Sequence, residues 1–128
     1  MSRKDPLWLT GLAGLLGLLM LAGAVGHVVA PELYAGFIPE PIPHWFANGF
    51  AVVVEGAIGV ALFAPRLRSL GGLAFAALMV GFMPLHIWDA LKDAPAIGEH
   101  TVAYVRIAIQ VLFIGAGALI YKRAGASG

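Results

Sequence analysis

Four long apolar runs, separated by short stretches that hold most of the polar and proline residues, set the pattern of this chain. They are about Leu7–Val29, Trp45–Phe63, Leu70–Trp88 and His100–Tyr121. A hydrocarbon slab about 30 Å thick is crossed by about 20 helical residues. The pattern therefore predicts an all-α integral membrane four-helix bundle, with one domain over residues 1–128. The first run carries Gly11, Gly14, Gly17, Gly23 and Gly26, small residues that let helix backbones approach closely in lipid. The segment Ala30–His44 holds Pro31, Pro39, Pro41 and Pro43, which forbid a regular helix. It still carries Leu33, Tyr34, Phe37 and Ile38, so it is expected to fold back as a lid over a site or as an interfacial anchor. Pro84 removes an amide from the third run, and a kink or loosened last turn is expected there.

Charge orients the bundle. Of eight Lys and Arg residues, Arg3, Lys4, Arg66, Arg68, Lys122 and Arg123 fall at one set of run ends. The opposite loops hold only Lys92. Cytoplasmic loops are enriched in basic residues, so both termini are expected in the cytoplasm and the proline-rich loop outside. The expected location is a bacterial or archaeal cytoplasmic (inner) membrane. Composition agrees: 60% of residues are hydrophobic and 12% charged, with mean hydropathy +0.89, against about 25% charged in soluble domains. A net charge of +1 lacks the basic face that nucleic acid requires. With no Cys, disulfides, thiolate catalysis and Cys-ligated metals are excluded. The basic start and Leu-rich first run resemble a signal peptide, but the run exceeds the 7–15 apolar residues of such segments and is read as a retained span.

Polar residues inside the spans are where chemistry is sought. Glu55 lies about 15 Å below Trp45, near the bilayer centre, and Gln110 lies at a similar level. A charge there costs about 2.5–3.5 kcal/mol on insertion scales and must be neutralised, paired or hydrated. Arg106 is the expected partner of Glu55, as the one intramembrane Lys or Arg. The pair is either a structural tie or an acid/base group. His86 and Asp89, three apart, share a helix face, and Asp89 is expected to orient the imidazole. His27, His86 and Asp89 do not define a metal site by spacing alone, and a haem held by His27 and His86 is a remoter option. Tyr34 and Tyr104 are candidates for a cavity mouth, while Trp45 and Trp88 read first as interfacial aromatics.

Several segments together resemble one family. They are His27-Val-Val-Ala-Pro-Glu-Leu-Tyr34, Ile38-Pro, Pro41-Ile-Pro43, Val54-Glu-Gly-Ala-Ile-Gly59, Ala64-Pro-Arg66 and Met83-Pro-Leu-His86. In order and spacing they are similar to the DoxX-like membrane proteins, over about residues 20–122. The resemblance implies a four-helix bundle and, by likeness to a subunit of a thiosulfate:quinone oxidoreductase, association with a membrane redox system. Glu55, Pro84 and the His27–Tyr34 segment fall at family-like positions. His86 stands where the family usually has Asn.

Three functions follow as expectations. The first is an outer-half cavity binding a lipophilic, quinone-like ligand in an accessory redox subunit. Glu55, His86 and Arg106 would contact the ligand oxygens, with His27, Tyr34, Trp88, Tyr104 and Gln110 around it. The second is a membrane enzyme of isomerase or hydrolase type acting on a lipid-like substrate, with Glu55, His86 and Asp89 as catalytic groups. The third is a non-catalytic assembly or transport factor. Expected partners are membrane lipid, a lipophilic small molecule and a redox protein or second copy of the chain.

Overall fold

Prolines decide where the first two helices begin. In this computed structural model, which describes residues 4–127, Pro6 and Pro43 lie immediately before helices α1 (Leu7–Val29) and α2 (His44–Phe63). Their backbones are extended, and their carbonyls accept the first free amides, Leu9 and Thr10 on Pro6, Phe46 and Ala47 on Pro43. Arg3, counted above among the basic run-end residues, lies outside the described residues. Helices α3 (Arg68–Leu91) and α4 (His100–Ser127) complete the chain. Between α1 and α2 the proline-rich segment forms two 3₁₀ turns, Pro31–Leu33 and Ala35–Phe37. Pro84 does not break α3, which stays helical through it to Leu91.

All four helices are long and apolar enough to cross a membrane, which marks the chain as an integral membrane protein. They pack as two antiparallel hairpins, α1 with α2 and α3 with α4, joined mainly through α2 and α3. Glycines fix the close approach within each hairpin. A Cβ on Gly17 would stand 3.2 Å from the Gly59 carbonyl oxygen, and one on Gly59 would stand 3.1 Å from that of Gly17. In the second hairpin, a Cβ on Gly72 or Gly117 would meet the other's carbonyl oxygen at 2.8 Å. Backbone contact of this kind drives helix association where lipid removes the hydrophobic incentive. Leu9, Leu16, Leu62, Phe75, Met79 and Ile120 fill the space between the hairpins. The outward faces carry exposed Leu, Val and Phe, the surface a lipid-facing helix presents.

The end bearing the termini is tied by a residue whose sequence reading was topological only. Arg68 is 5% exposed. Its Nε donates to the Leu62 carbonyl at 3.1 Å and its Nη2 to the Phe63 carbonyl at 3.4 Å, satisfying the end of α2. Nη1 pairs with Asp5 at 2.6 Å, just ahead of α1. One guanidinium thus joins α1, α2 and α3. Arg68→Leu is expected to destabilise the bundle by about 3–5 kcal/mol, because it strands the Asp5 carboxylate. Adding Asp5→Leu should recover part of that loss in detergent thermal unfolding; strictly additive losses would dissolve the pair.

Candidate functional site

The deepest carboxyl meets an imidazole, not a guanidinium. Glu55 is 6% exposed, and its Oε2 lies 3.1 Å from Nε2 of His27, near the end of α1. The expected partner Arg106 is not there: among the described residues no carboxylate comes within 4 Å of it. The reason is register. Gly17 facing Gly59 sets α1 against α2 so that His27 falls between the levels of Asn48 and Glu55. Small residues then make room. A Cβ on Gly23 would stand 2.7 Å from Glu55 Oε1, and one on Gly26 would stand 2.5 Å from the Tyr34 hydroxyl.

Asn48 fixes how the imidazole is used. Its Nδ2 donates to the His44 carbonyl at 2.9 Å, one turn back along α2. That leaves Oδ1 as an acceptor, 2.7 Å from His27 Nδ1. The network therefore assigns the proton on His27 to Nδ1 and turns Nε2 toward Glu55. Two protonation states satisfy the contact: neutral imidazole facing a carboxylic acid, or imidazolium facing a carboxylate. Both have zero net charge, so one proton can sit on either side without placing an uncompensated ion in lipid. The contact is close but not in line, for Oε2 has no hydrogen bond of proper angle. Above the pair, the Tyr34 ring stacks on His27 with centroids 3.7 Å apart and planes 23° from parallel. Tyr34 belongs to the connection between α1 and α2. Burial, and then the nearby Glu55, push its phenol above the usual range, so it remains a neutral O–H donor.

This assembly borders an open cleft of about 540 Å³, walled by His27, Pro31, Glu32, Ala35, His44, Trp45 and Asn48. The cleft lies at the end of the bundle carrying the α1–α2 and α3–α4 connections.

The other sequence candidates separate from it. His86 is half-buried and meets Phe37 edge-on, with centroids 5.9 Å apart. Asp89 does not orient it. The Asp89 carboxylate, 1% exposed, accepts the Ala96 amide at 2.6 Å and the Ile97 amide at 3.4 Å, and pairs with Lys92 at 3.2 Å. Being at the end of α3, it satisfies the free amides of the connection to α4, where Gly98 adopts φ +119°. Lys92 also donates to the Gly36 carbonyl at 2.7 Å and lies 3.9 Å from the Trp88 ring centre, tying the two connections together. Tyr104 is exposed on α4, away from the cleft wall. Gln110 is fully buried and donates to the Met79 carbonyl at 2.7 Å. Among the described residues no group of three His, Cys, Asp or Glu is placed to hold a metal.

Asn48 was missed by sequence reading. Its signal was position: it precedes Glu55 by seven residues, two helical turns, and so shares its face.

If the two groups share a proton, His27→Leu and Glu55→Leu should each cost about 1–3 kcal/mol of stability, while the double variant costs less than the two losses combined. A double-mutant cycle by thermal unfolding checks this, and a coupling near zero would dissolve the pair.

No curated protein and no solved structure matches the chain. A family model described as "Domain of unknown function (DUF8561)" matches residues 15–121, covering all of the site and most of the four helices, and the chain belongs to that family.

Proposed function

We propose that this protein binds a lipophilic, quinone-like ligand from the outer leaflet of a bacterial or archaeal cytoplasmic membrane, as an accessory subunit of a membrane redox system. The termini face the cytoplasm in this reading, and the cleft opens outward. One observation carries it: a buried His27–Glu55 pair able to hold a single proton beside a cleft of about 540 Å³. Pockets for drug-sized ligands measure about 300–1,000 Å³ and combine apolar walls with a few fixed polar groups. Here Trp45, Pro31 and Ala35 supply apolar wall, and His27, His44 and Asn48 supply polar groups.

A quinone becomes a quinol by taking two electrons and two protons on its carbonyl oxygens. The His27–Glu55 pair supplies one of those protons, water in the open cleft supplies the second and reloads the pair, and the Tyr34 hydroxyl donates a hydrogen bond to a ligand oxygen. Electrons come from a redox partner, since the chain has no Cys and no cofactor-binding fingerprint. The resemblance to DoxX-like proteins supports the same setting. An acid/base enzyme fits less well. Asn48 and Glu55 engage both ring nitrogens of His27, and Asp89 serves the neighbouring connection rather than His86.

Titration with a short-chain benzoquinone should quench the fluorescence of Trp45 saturably in detergent. Tyr34→Phe should weaken binding by about tenfold, the loss of one hydrogen bond to a polar ligand, and Glu55→Gln, which removes the proton partner of His27, by a similar factor. Non-saturable quenching, or affinity unchanged from the parent in both variants, would remove the proposal. Mass spectrometry of small molecules retained after mild purification tests the ligand class directly.

A further inference from the structure

The cleft does not reach Glu55. Pro31, Glu32 and Ala35 line it, whereas Tyr34, between them in sequence, and Glu55 do not. The Tyr34 ring lies flat on His27 instead, and its hydroxyl fits against the bare backbone of Gly26. Glu55, beyond the imidazole, is 6% exposed. A ligand that touches both Tyr34 and Glu55 therefore requires the connection between α1 and α2 to lift.

This connection is built to move. Neither of its 3₁₀ turns contains a buried residue, and their hydrogen bonds are local: Leu33 to Ala30, Tyr34 to Pro31, Phe37 to Tyr34 and Ile38 to Ala35. Segments with few buried contacts open at lower free energy than the helices around them. What holds it down comes from the end of α3. Lys92 Nζ donates to the Gly36 carbonyl at 2.7 Å, and Phe37 meets His86 edge-on. Lys92 is itself fixed, by Asp89 at 3.2 Å and by the Trp88 ring at 3.9 Å, and Asp89 is held by the Ala96 and Ile97 amides. Gly36 lets the two connections touch, for a Cβ there would stand 2.6 Å from that of Ala96. Its φ is not left-handed, so this glycine serves close approach and not backbone shape.

From this we infer that residues 31–39 form a strap over the His27–Glu55 pair, latched by Lys92, and that release of the Lys92–Gly36 hydrogen bond opens the route from the cleft to Glu55. The two halves of the latch differ. One is an ammonium anchored on α3, and the other is a single backbone carbonyl on the strap. One charge-assisted hydrogen bond is a catch that gives way without disturbing either hairpin. The strap regulates access to the site of the proposed function, and it rests on that reading only for the identity of what enters.

Carboxyl labelling tests the strap without any quinone. The full chain in mild detergent is treated with a water-soluble carbodiimide and glycinamide, which together turn a reachable carboxyl into an amide and release the corresponding urea. Peptide mass spectrometry compares Glu55 with the exposed Glu40 of the same chain. K92M should speed labelling of Glu55 about tenfold relative to Glu40, the loss of one hydrogen bond from a charged donor. K92R should keep most of the protection. G36V should give a similar rise with Lys92 and Asp89 intact, by wedging the strap away from Ala96. The chain has no Cys, so G36C with A96C introduces a single disulfide between the connections. Its Cβ atoms need about 3.5–4.5 Å, a shift of about 1 Å from the present spacing. Oxidised, this variant should label Glu55 more slowly than the parent, and dithiothreitol should lift the block. Labelling of Glu55 unchanged by K92M and G36V would overturn the strap. So would a rate that the disulfide does not lower, or failure of the disulfide to form. Saturable quinone binding beside those results would leave the reading of the cleft standing, and strap-dependent labelling without quinone binding would do the reverse.

Discussion

The contact between His27 and Glu55 is the constraint around which the first hairpin is arranged. A carboxyl that deep in an apolar bundle is tolerable only if the site as a whole carries no net charge. An imidazole meets that requirement in a way a guanidinium does not. It can hold the balancing proton or cede it, whereas Arg would lock the carboxylate in its charged form. Gly23 and Gly26 leave space for Glu55 and Tyr34, and Asn48 turns the imidazole edge toward the acid. Each feature serves one geometry, and none makes the same sense if Glu55 is paired elsewhere.

The four spans were legible because length and apolarity are nearly sufficient for a membrane helix. α1 has the expected bounds, and α2 differs by one residue at its start. The ends of α3 were harder, for local reasons. Arg68 enters the helix because it caps α2 and pairs with Asp5, and Pro84 is accommodated without ending the helix. α4 also runs past the expected Tyr121.

The site was legible only in part. That Glu55 needed a partner followed from composition, but which partner depended on the sliding register of α1 on α2. The Gly17–Gly59 contact sets that register, and no one-dimensional pattern shows which glycines meet. The stacking of Tyr34 on His27 has no helical spacing to announce it, since the chain continues from α1 into two 3₁₀ turns that carry Tyr34 back over the ring. The His86–Asp89 reading failed differently. Spacing placed the two on one face, yet a carboxylate in the last turn of a helix has nearer claims on it, and the unpaired amides of Ala96 and Ile97 took precedence.

Comparing how each buried charge is balanced divides the molecule by role. Arg68 is saturated by two carbonyls and a carboxylate, the mark of a fixed structural joint. Asp89 is equally saturated, and through Lys92 it holds the two connections against each other. Glu55 is balanced by a group of variable protonation, so its environment has two chemically distinct states with the same net charge. Such a pair adds less rigidity than a saturated one, and its cost is justified where a proton must be held near a ligand. The two saturated charges lie toward the ends of the bundle, and the variable pair lies between them, on the hairpin whose connection carries Tyr34. Stiff ends around an adaptable centre let a proton move between His27 and Glu55 without loosening the helices that position them.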